Sequence, residues 1–183
     1  MKQHDLCNVK FPISVVMITM NEEEAITKVV EDIRKHVPEA EILIVDSSKD
    51  KTPQLAEALG IKVIRQFPPR GYGPAMDLAL RSASGDIVVT MDCDNTYPAC
   101  MIPELCSYIT KDGYDLIDGS RLKHKPEAMP WINYIANAGF ALMASLLFLT
   151  WITDLHSGMR AYRKTMIDEL KYNPYGAALP VEL

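Results

Sequence analysis

The chain has no surplus of positive charge. Its 19 Lys and Arg stand against 24 Asp and Glu, a net charge of -5. That balance excludes non-specific nucleic-acid binding as the main activity, which needs a basic face. Cysteine is sparse: Cys7, Cys93, Cys100 and Cys106 contain no Cys-x-x-Cys pair, so a zinc-ribbon type of site is excluded. The opening Met1-Lys-Gln-His-Asp-Leu-Cys7 lacks the apolar core of a secretory leader, and the simplest reading is reduced thiols in the cytosol. Internal repeats and low-complexity tracts are absent. So is a Gly-x-Gly-x-x-Gly run after the first strand, which argues against a dinucleotide-binding Rossmann domain.

What is present is 183 residues at 48% hydrophobic content, enough for one domain with a real core. Strand and helix signals alternate. Ile13–Ile18 reads as a strand, followed by a helix from Asn21 to about His36, with Asn21 as N-cap and Glu24 at the capping-box position. Glu41–Val45 is a second strand ending in Asp46. Thr52 caps a helix with Pro53 at its first position and Gly60 past its end. Lys62–Ile64 is a short third strand, Phe67–Pro74 a turn-rich loop, and Ala75–Ser82 a helix. Asp86–Thr90 is a fourth strand, Pro98–Thr110 a helix, and Asp115–Asp118 a fifth strand. This alternation predicts an α/β fold with a mostly parallel sheet flanked by helices.

The fourth strand ends in Asp92-Cys93-Asp94. Ligands of open α/β sheets bind beyond the carboxyl ends of the strands. Two acids one residue apart at such an end form a hard-oxygen site suited to Mg²⁺ or Mn²⁺ bridging phosphate oxygens. Asn21-Glu22 and Asp46 stand at the ends of the first two strands, so several polar ends converge on one crevice. From Ala128 to Thr153 no residue is charged. Pro130, Asn133, Asn137 and Gly139 interrupt the first half of that run, and Trp131, Tyr134 and Trp151 flank it as interfacial anchors do. Lys123 and Lys125 lie just upstream, placed to meet anionic headgroups. Three readings are open: a helix packed on the domain or lying in a membrane interface, a core helix, or a true span.

Six pieces carry a resemblance. They are Val15 to Glu23, Val45 to Thr52, Arg70 to Ala75, Met91 to Asp94, Asp118 to Arg121, and Asp154 to Arg163. In this order they resemble glycosyltransferase family 2, with the GT-A fold, and within it the dolichyl-phosphate mannose synthases and other polyprenyl-phosphate hexosyltransferases. The resemblance implies a single GT-A-like domain over 1–183. Its nucleotide-binding half would cover about 11–121 and its acceptor- and membrane-facing part about 122–183. It implies Glu22 and Asp46 on the base and ribose, Asp94 on the divalent metal, and Asp92 on the ribose or supporting the metal. Asn21, Gly71 and Gly73 belong to the same nucleotide-sugar site, with the glycines letting backbone approach the ligand. Arg121 and Arg160 would clamp phosphates. Asp154 would be the base if the acceptor is a hydroxyl; a phosphate acceptor, with its second pKa of about 6, needs positioning instead. His156 reads as a loop residue.

The implied partners are a UDP- or GDP-hexose, a polyprenyl phosphate and the cytosolic face of a membrane, with no nucleic acid. Transfer to a soluble or glycan hydroxyl, and a nucleotide-binding module without turnover, stay open beside this. A sugar-nucleotide pyrophosphorylase would need a glycine-rich basic loop after the first strand, and Thr19-Met20-Asn21-Glu22 is not one. Two departures from the family stand out. Tyr72 lies between Gly71 and Gly73 where relatives often carry Lys, and Cys93 lies between the acids where they often carry Ala. The end, Leu179-Pro-Val-Glu-Leu183, resembles the start of a further family segment, so a C-terminally truncated chain is expected.

Overall fold

A computed structural model describes residues 11–120, 130–149, 154 and 157–175. Six strands form one sheet in the order β3-β2-β1-β4-β6-β5. The strands are β1 (Ile13–Thr19), β2 (Glu41–Asp46), β3 (Lys62–Arg65), β4 (Ile87–Thr90), β5 (Leu116–Asp118) and β6 (Arg160–Arg163). β1 pairs in parallel with β2 and β4, and β2 with β3; β6 is antiparallel to both β4 and β5. The mostly parallel α/β reading therefore holds.

Helices α1 (Ile26–His36), α2 (Thr52–Ala58), α3 (Tyr72–Ser82), α4 (Ile102–Lys111), α5 (Trp131–Phe148) and α6 (Lys164–Glu169) accompany the sheet. One core joins Val15, Met17, Ile44 and Val89 to α1 and α4; a second joins Val16, Leu43, Val45 and Val88 to α3. The central strands are apolar on both faces because helices cover both. At the entry to β4, Gly85 is required by space: a Cβ there would stand 2.7 Å from the Ser14 nitrogen and 2.8 Å from the Pro12 carbonyl oxygen.

Several expectations at element ends are corrected. Asn21 does not cap α1, which starts at Ile26 without a side-chain cap. It has a φ of 64°, its N–H donates to Ser48 Oγ (2.8 Å), and its Oδ1 accepts from the Lys49 N–H (3.0 Å). Glu24 accordingly completes no capping box. Thr52 lies within α2, preceded by Lys51 at the cap position; its Oγ1 donates to Asp50 Oδ1 (2.6 Å) and accepts from the Glu22 N–H (2.9 Å). In both places the two loops at the ends of β1 and β2 bind each other, and these longer-range bonds displace the local capping pattern. α3 begins at Tyr72, three residues before the expected Ala75, because Gly71 at φ 105° turns the chain directly into the helix.

The uncharged segment forms α5, and it is not a core helix. Among the described side chains of α5 only a narrow seam of Tyr134, Asn137, Ala141, Ala144 and Ser145 is turned from solvent. Ile132 is 76% and Leu147 72% exposed, and Trp131, Ile135, Leu142 and Leu146 lie open with them. Among the described residues no helix is long and apolar enough to cross a membrane.

Candidate functional site

A cavity of about 390 Å³ opens at the carboxyl ends of β1, β2 and β4. Thr19, Met20 and Glu22 line it from the first loop, Ser47 from the second, Gly71 and Tyr72 from the third, and Asp92, Cys93 and Asp94 from the fourth. A groove of about 450 Å³ on the other side of the Ser47-Ser48 turn mixes Lys49 and Arg65 with Asp50 and Glu57. It gathers no acids from separate strand ends, and the chemistry of the first cavity is the more specific.

The three carboxylates of that cavity repel one another. Burial raises the Glu22 pKa, and Asp94, Asp50 and Asp92 raise it further. Burial also pushes the Cys93 thiol up to about 12, with Glu22, Asp94 and Asp92 adding to it. The thiol between the two acids is therefore protonated and unreactive. Asp94 is exposed, and its Oδ1 accepts from both the N–H (3.0 Å) and the Oγ1 (2.6 Å) of Thr96, which fixes its direction. Asp92 is half-buried against Gly158. Among the described residues no three His, Cys, Asp or Glu side chains could hold an ion by themselves. Mg²⁺ and Mn²⁺ commonly take one or two carboxylates and complete their shell with substrate phosphates and water. Asp94, held by Thr96, and Asp92 beside it in a negative field fit that demand.

Asp46 is fully buried. Its Oδ1 accepts from Thr19 Oγ1 (2.8 Å) and Ser48 Oγ (2.5 Å), and its Oδ2 from the Ser48 N–H (3.2 Å) and the Arg65 guanidinium. These four partners fill the acceptor capacity of a carboxylate. Asp46 thus holds the Ser47-Ser48 turn in place. Gly73 is buried in the first turn of α3.

Beside the cavity lies a second polar group, built where β6 enters the sheet. Asp154, Ser157, Arg160 and Tyr162 are each at least nine-tenths buried. Arg160 Nε is 3.4 Å from Asp118 Oδ1, and Ser157 Oγ donates to the Gly119 carbonyl (2.6 Å). The Gly158 N–H donates to the Tyr97 hydroxyl (2.7 Å), and Thr90 Oγ1 to the Gly158 carbonyl (3.2 Å). Burial pushes the Asp118 carboxyl up to about 6; Arg160 pulls it down and Asp154 up. A carboxyl raised in the fold contributes stability below its ordinary value of 3.8, and that contribution is lost as pH rises through about 6. Urea unfolding followed from pH 4 to 7 should therefore show a fall in stability that is flattened in Asp118→Asn.

Of the residues singled out in the sequence, Glu22, Gly71, Asp92 and Asp94 meet at the cavity. Asn21, Asp46 and Gly73 support its walls, Asp154 and Arg160 form the neighbouring group, and Arg121 and His156 lie outside the described residues. Sequence reasoning gave no role to Tyr97, and it placed Asp118 and Gly158 only within the resembling pieces Asp118 to Arg121 and Asp154 to Arg163 without assigning either a task.

A family model described as glycosyl transferase family 2 matches residues 14–171. The chain is 40% identical over 161 residues to the dolichyl-phosphate hexose transferase of Haloferax volcanii, a match over 87% of this chain and 70% of that one. It is 32% identical over 183 residues to the dolichol-phosphate mannosyltransferase of Pyrococcus furiosus, a match over 93% of this chain and 51% of the relative. Among solved structures, glucosyl-3-phosphoglycerate synthase from Mycobacterium tuberculosis, in complex with Mn²⁺, UDP and glucosyl-3-phosphoglycerate, matches with a TM-score of 0.70 at 27% identity. That match covers 92% of this chain and 63% of the synthase, so the chain spans about half to 70% of the length of these relatives.

Proposed function

The chain belongs to glycosyl transferase family 2, and from that membership we propose that it moves a hexose from a nucleoside-diphosphate sugar to a polyprenyl phosphate at the cytosolic face of a membrane. The observation that carries this reading is the meeting of Glu22, Asp92 and Asp94, from the ends of β1 and β4, in one cavity. The named activities of the Haloferax and Pyrococcus relatives support the lipid phosphate acceptor. Mn²⁺ and UDP in the Mycobacterium synthase support the donor chemistry.

In this reading Asp92 and Asp94 would hold Mg²⁺ or Mn²⁺ against the donor's diphosphate, and a bound cation would supply Lewis-acid stabilisation of the departing nucleoside diphosphate. Glu22 accepts from the base or ribose. Asp46 serves the same pocket by fixing Ser47 and Ser48, and Asn21 by locking the first loop to the second. Gly71 and Gly73 let the third loop pass close to the ligand. An acceptor phosphate oxygen attacks C1 in line, the bond from C1 to the diphosphate oxygen breaks, and the configuration inverts. Such an acceptor is largely anionic near pH 7 and needs no base. Asp154 then orders the Asp118–Arg160 pair, and Arg160 and Arg121 steady phosphate charge. In this reading residues about 11–121 serve as the nucleotide half and about 122–183 as the acceptor part of one domain, which the place of β6 beside β4 in the same sheet supports. The exposed apolar surface of α5 supplies the lipid contact, since apolar patches of this kind mark interaction or membrane surfaces.

Isothermal titration of UDP and GDP, with and without Mn²⁺, tests the donor site. One nucleotide should bind only with metal; no binding of either to folded protein overturns the reading. Sedimentation with phosphatidylcholine vesicles carrying a polyprenyl phosphate tests the surface. The wild type should pellet, and a Leu146→Ser, Leu147→Ser variant should stay in solution.

A further inference from the structure

Tyr72 brings an aromatic hydroxyl to a cavity whose strongest polar groups are carboxylates. It lines the cavity with Asp92 and Asp94, from the first residue of α3, where the positive φ of Gly71 turns the chain into the helix. Its electrostatic neighbours come from both sides of the site: Asp92 and Tyr97 from the β4 end, Arg160 and Tyr162 from β6. Tyr97, Arg160 and Tyr162 are already engaged. Tyr97 accepts from the Gly158 N–H, Arg160 pairs with Asp118, and Tyr162 hydrogen-bonds Arg160 and Thr90. Among the described residues the Tyr72 hydroxyl has no hydrogen-bond partner, and the residue is 46% exposed. An unengaged hydroxyl thus faces the space between the acids of the donor site and the guanidinium of the acceptor side.

Charge says which part of a ligand suits it. A phenol, with an ordinary pKa of about 10, is a neutral donor and acceptor near pH 7. Phosphate oxygens are best met by cations, and in this cavity the acids of β4 bring one to them. A neutral hydroxyl can donate and accept at once, which matches the hydroxyls of a sugar, themselves both donors and acceptors. In a glycosyl donor these belong to the sugar being transferred, and that sugar occupies the junction between leaving group and acceptor.

We propose that the Tyr72 hydroxyl hydrogen-bonds a hydroxyl of the transferred hexose and helps to select it. The inference rests on the donor reading above and assigns to this residue the sugar, not the nucleotide. The test compares Tyr72→Phe with the wild type, in Mn²⁺, by titration of UDP, GDP, UDP-glucose and GDP-mannose. The ring is kept and the residue is half exposed, so the melting temperature should be unchanged. The affinity for the free nucleoside diphosphate should stay within about twofold. The affinity for its sugar conjugate should fall by about five- to tenfold, the worth of one neutral hydrogen bond. A deoxy-hexose series adds a readout that a structural role would not move. The wild type should discriminate against one deoxy position, and Tyr72→Phe should not. Equal losses for nucleotide and conjugate, or no loss for either, would overturn the assignment. A wild type that binds neither nucleotide overturns the donor reading and this inference with it, whereas a wild type that binds normally beside an indifferent variant overturns the inference alone.

Discussion

Asp94→Ala should abolish metal-dependent nucleotide binding and lower hexose transfer about a thousandfold, because a Lewis-acid contact to a departing diphosphate is worth several kcal/mol. Fold and function separate cleanly at this position. Asp94 is exposed, and its only intramolecular hydrogen bonds in the described structure come from Thr96, two residues on. Removing it leaves no buried donor stranded, so the melting temperature should change little. The field of the cavity changes in a definite direction. Asp94 is the largest of the carboxylates raising the Glu22 pKa, so the Glu22 pKa should fall in the variant. Titration of UDP or GDP with and without Mn²⁺ reads the binding, a transfer assay on a polyprenyl phosphate the rate, the melting curve the fold, and NMR titration of the Glu22 carboxyl the pKa. Binding that keeps its metal dependence in Asp94→Ala would place the cation elsewhere.

The sequence made the ends of β1, β2 and β4 readable because each strand is a short apolar run cut off by a polar residue, a pattern that buried parallel strands impose. What it hid is non-local. β6 is Arg160-Ala-Tyr-Arg163, with a charge at each end and no alternation of apolar residues. It is a strand because β4 and β5 offer it hydrogen bonds on both sides, and tertiary pairing of that kind overrides local propensity. The same holds for Asn21 and Thr52. Each has the chemistry of a cap, yet each is used to bind one loop to the other across about 30 residues of chain, a link that no local rule contains. Asp46 was legible as a polar strand end, but its saturation by Thr19, Ser48 and Arg65 depends on three separate segments. For α5 the composition was legible and the outcome open. Its lack of charge fits a core as well as a surface, and only the packing of the rest of the domain leaves it outside.

Gly158 is the case in which such hidden geometry has the largest consequence. The sequence shows Ser157-Gly158-Met159-Arg160 as a motif and gives the glycine no task. In the structure a Cβ at this position would stand 2.9 Å from Asp92 Cγ and 3.0 Å from its Oδ1, with Oδ2 nearer still. The glycine side cannot retreat easily. The backbone of Gly158 is held by Tyr97 and Thr90, and that of its neighbour Gly119 by Ser157. Asp92 is a short side chain at the end of a buried strand, so the carboxylate must rotate away. Gly158→Ala should therefore act as a substitution of Asp92. Metal-dependent nucleotide affinity should fall about a hundredfold, as when a single directed group is lost from a preorganised site. The overpacking itself should cost about 1–3 kcal/mol of stability. A double-mutant cycle separates the two effects. In an Asp92→Ala background the clash is gone, so adding Gly158→Ala should cost little further affinity or stability, a strongly non-additive result. Simple additivity would mean that Gly158 shapes the site through the backbone of β6 and not through the placement of Asp92.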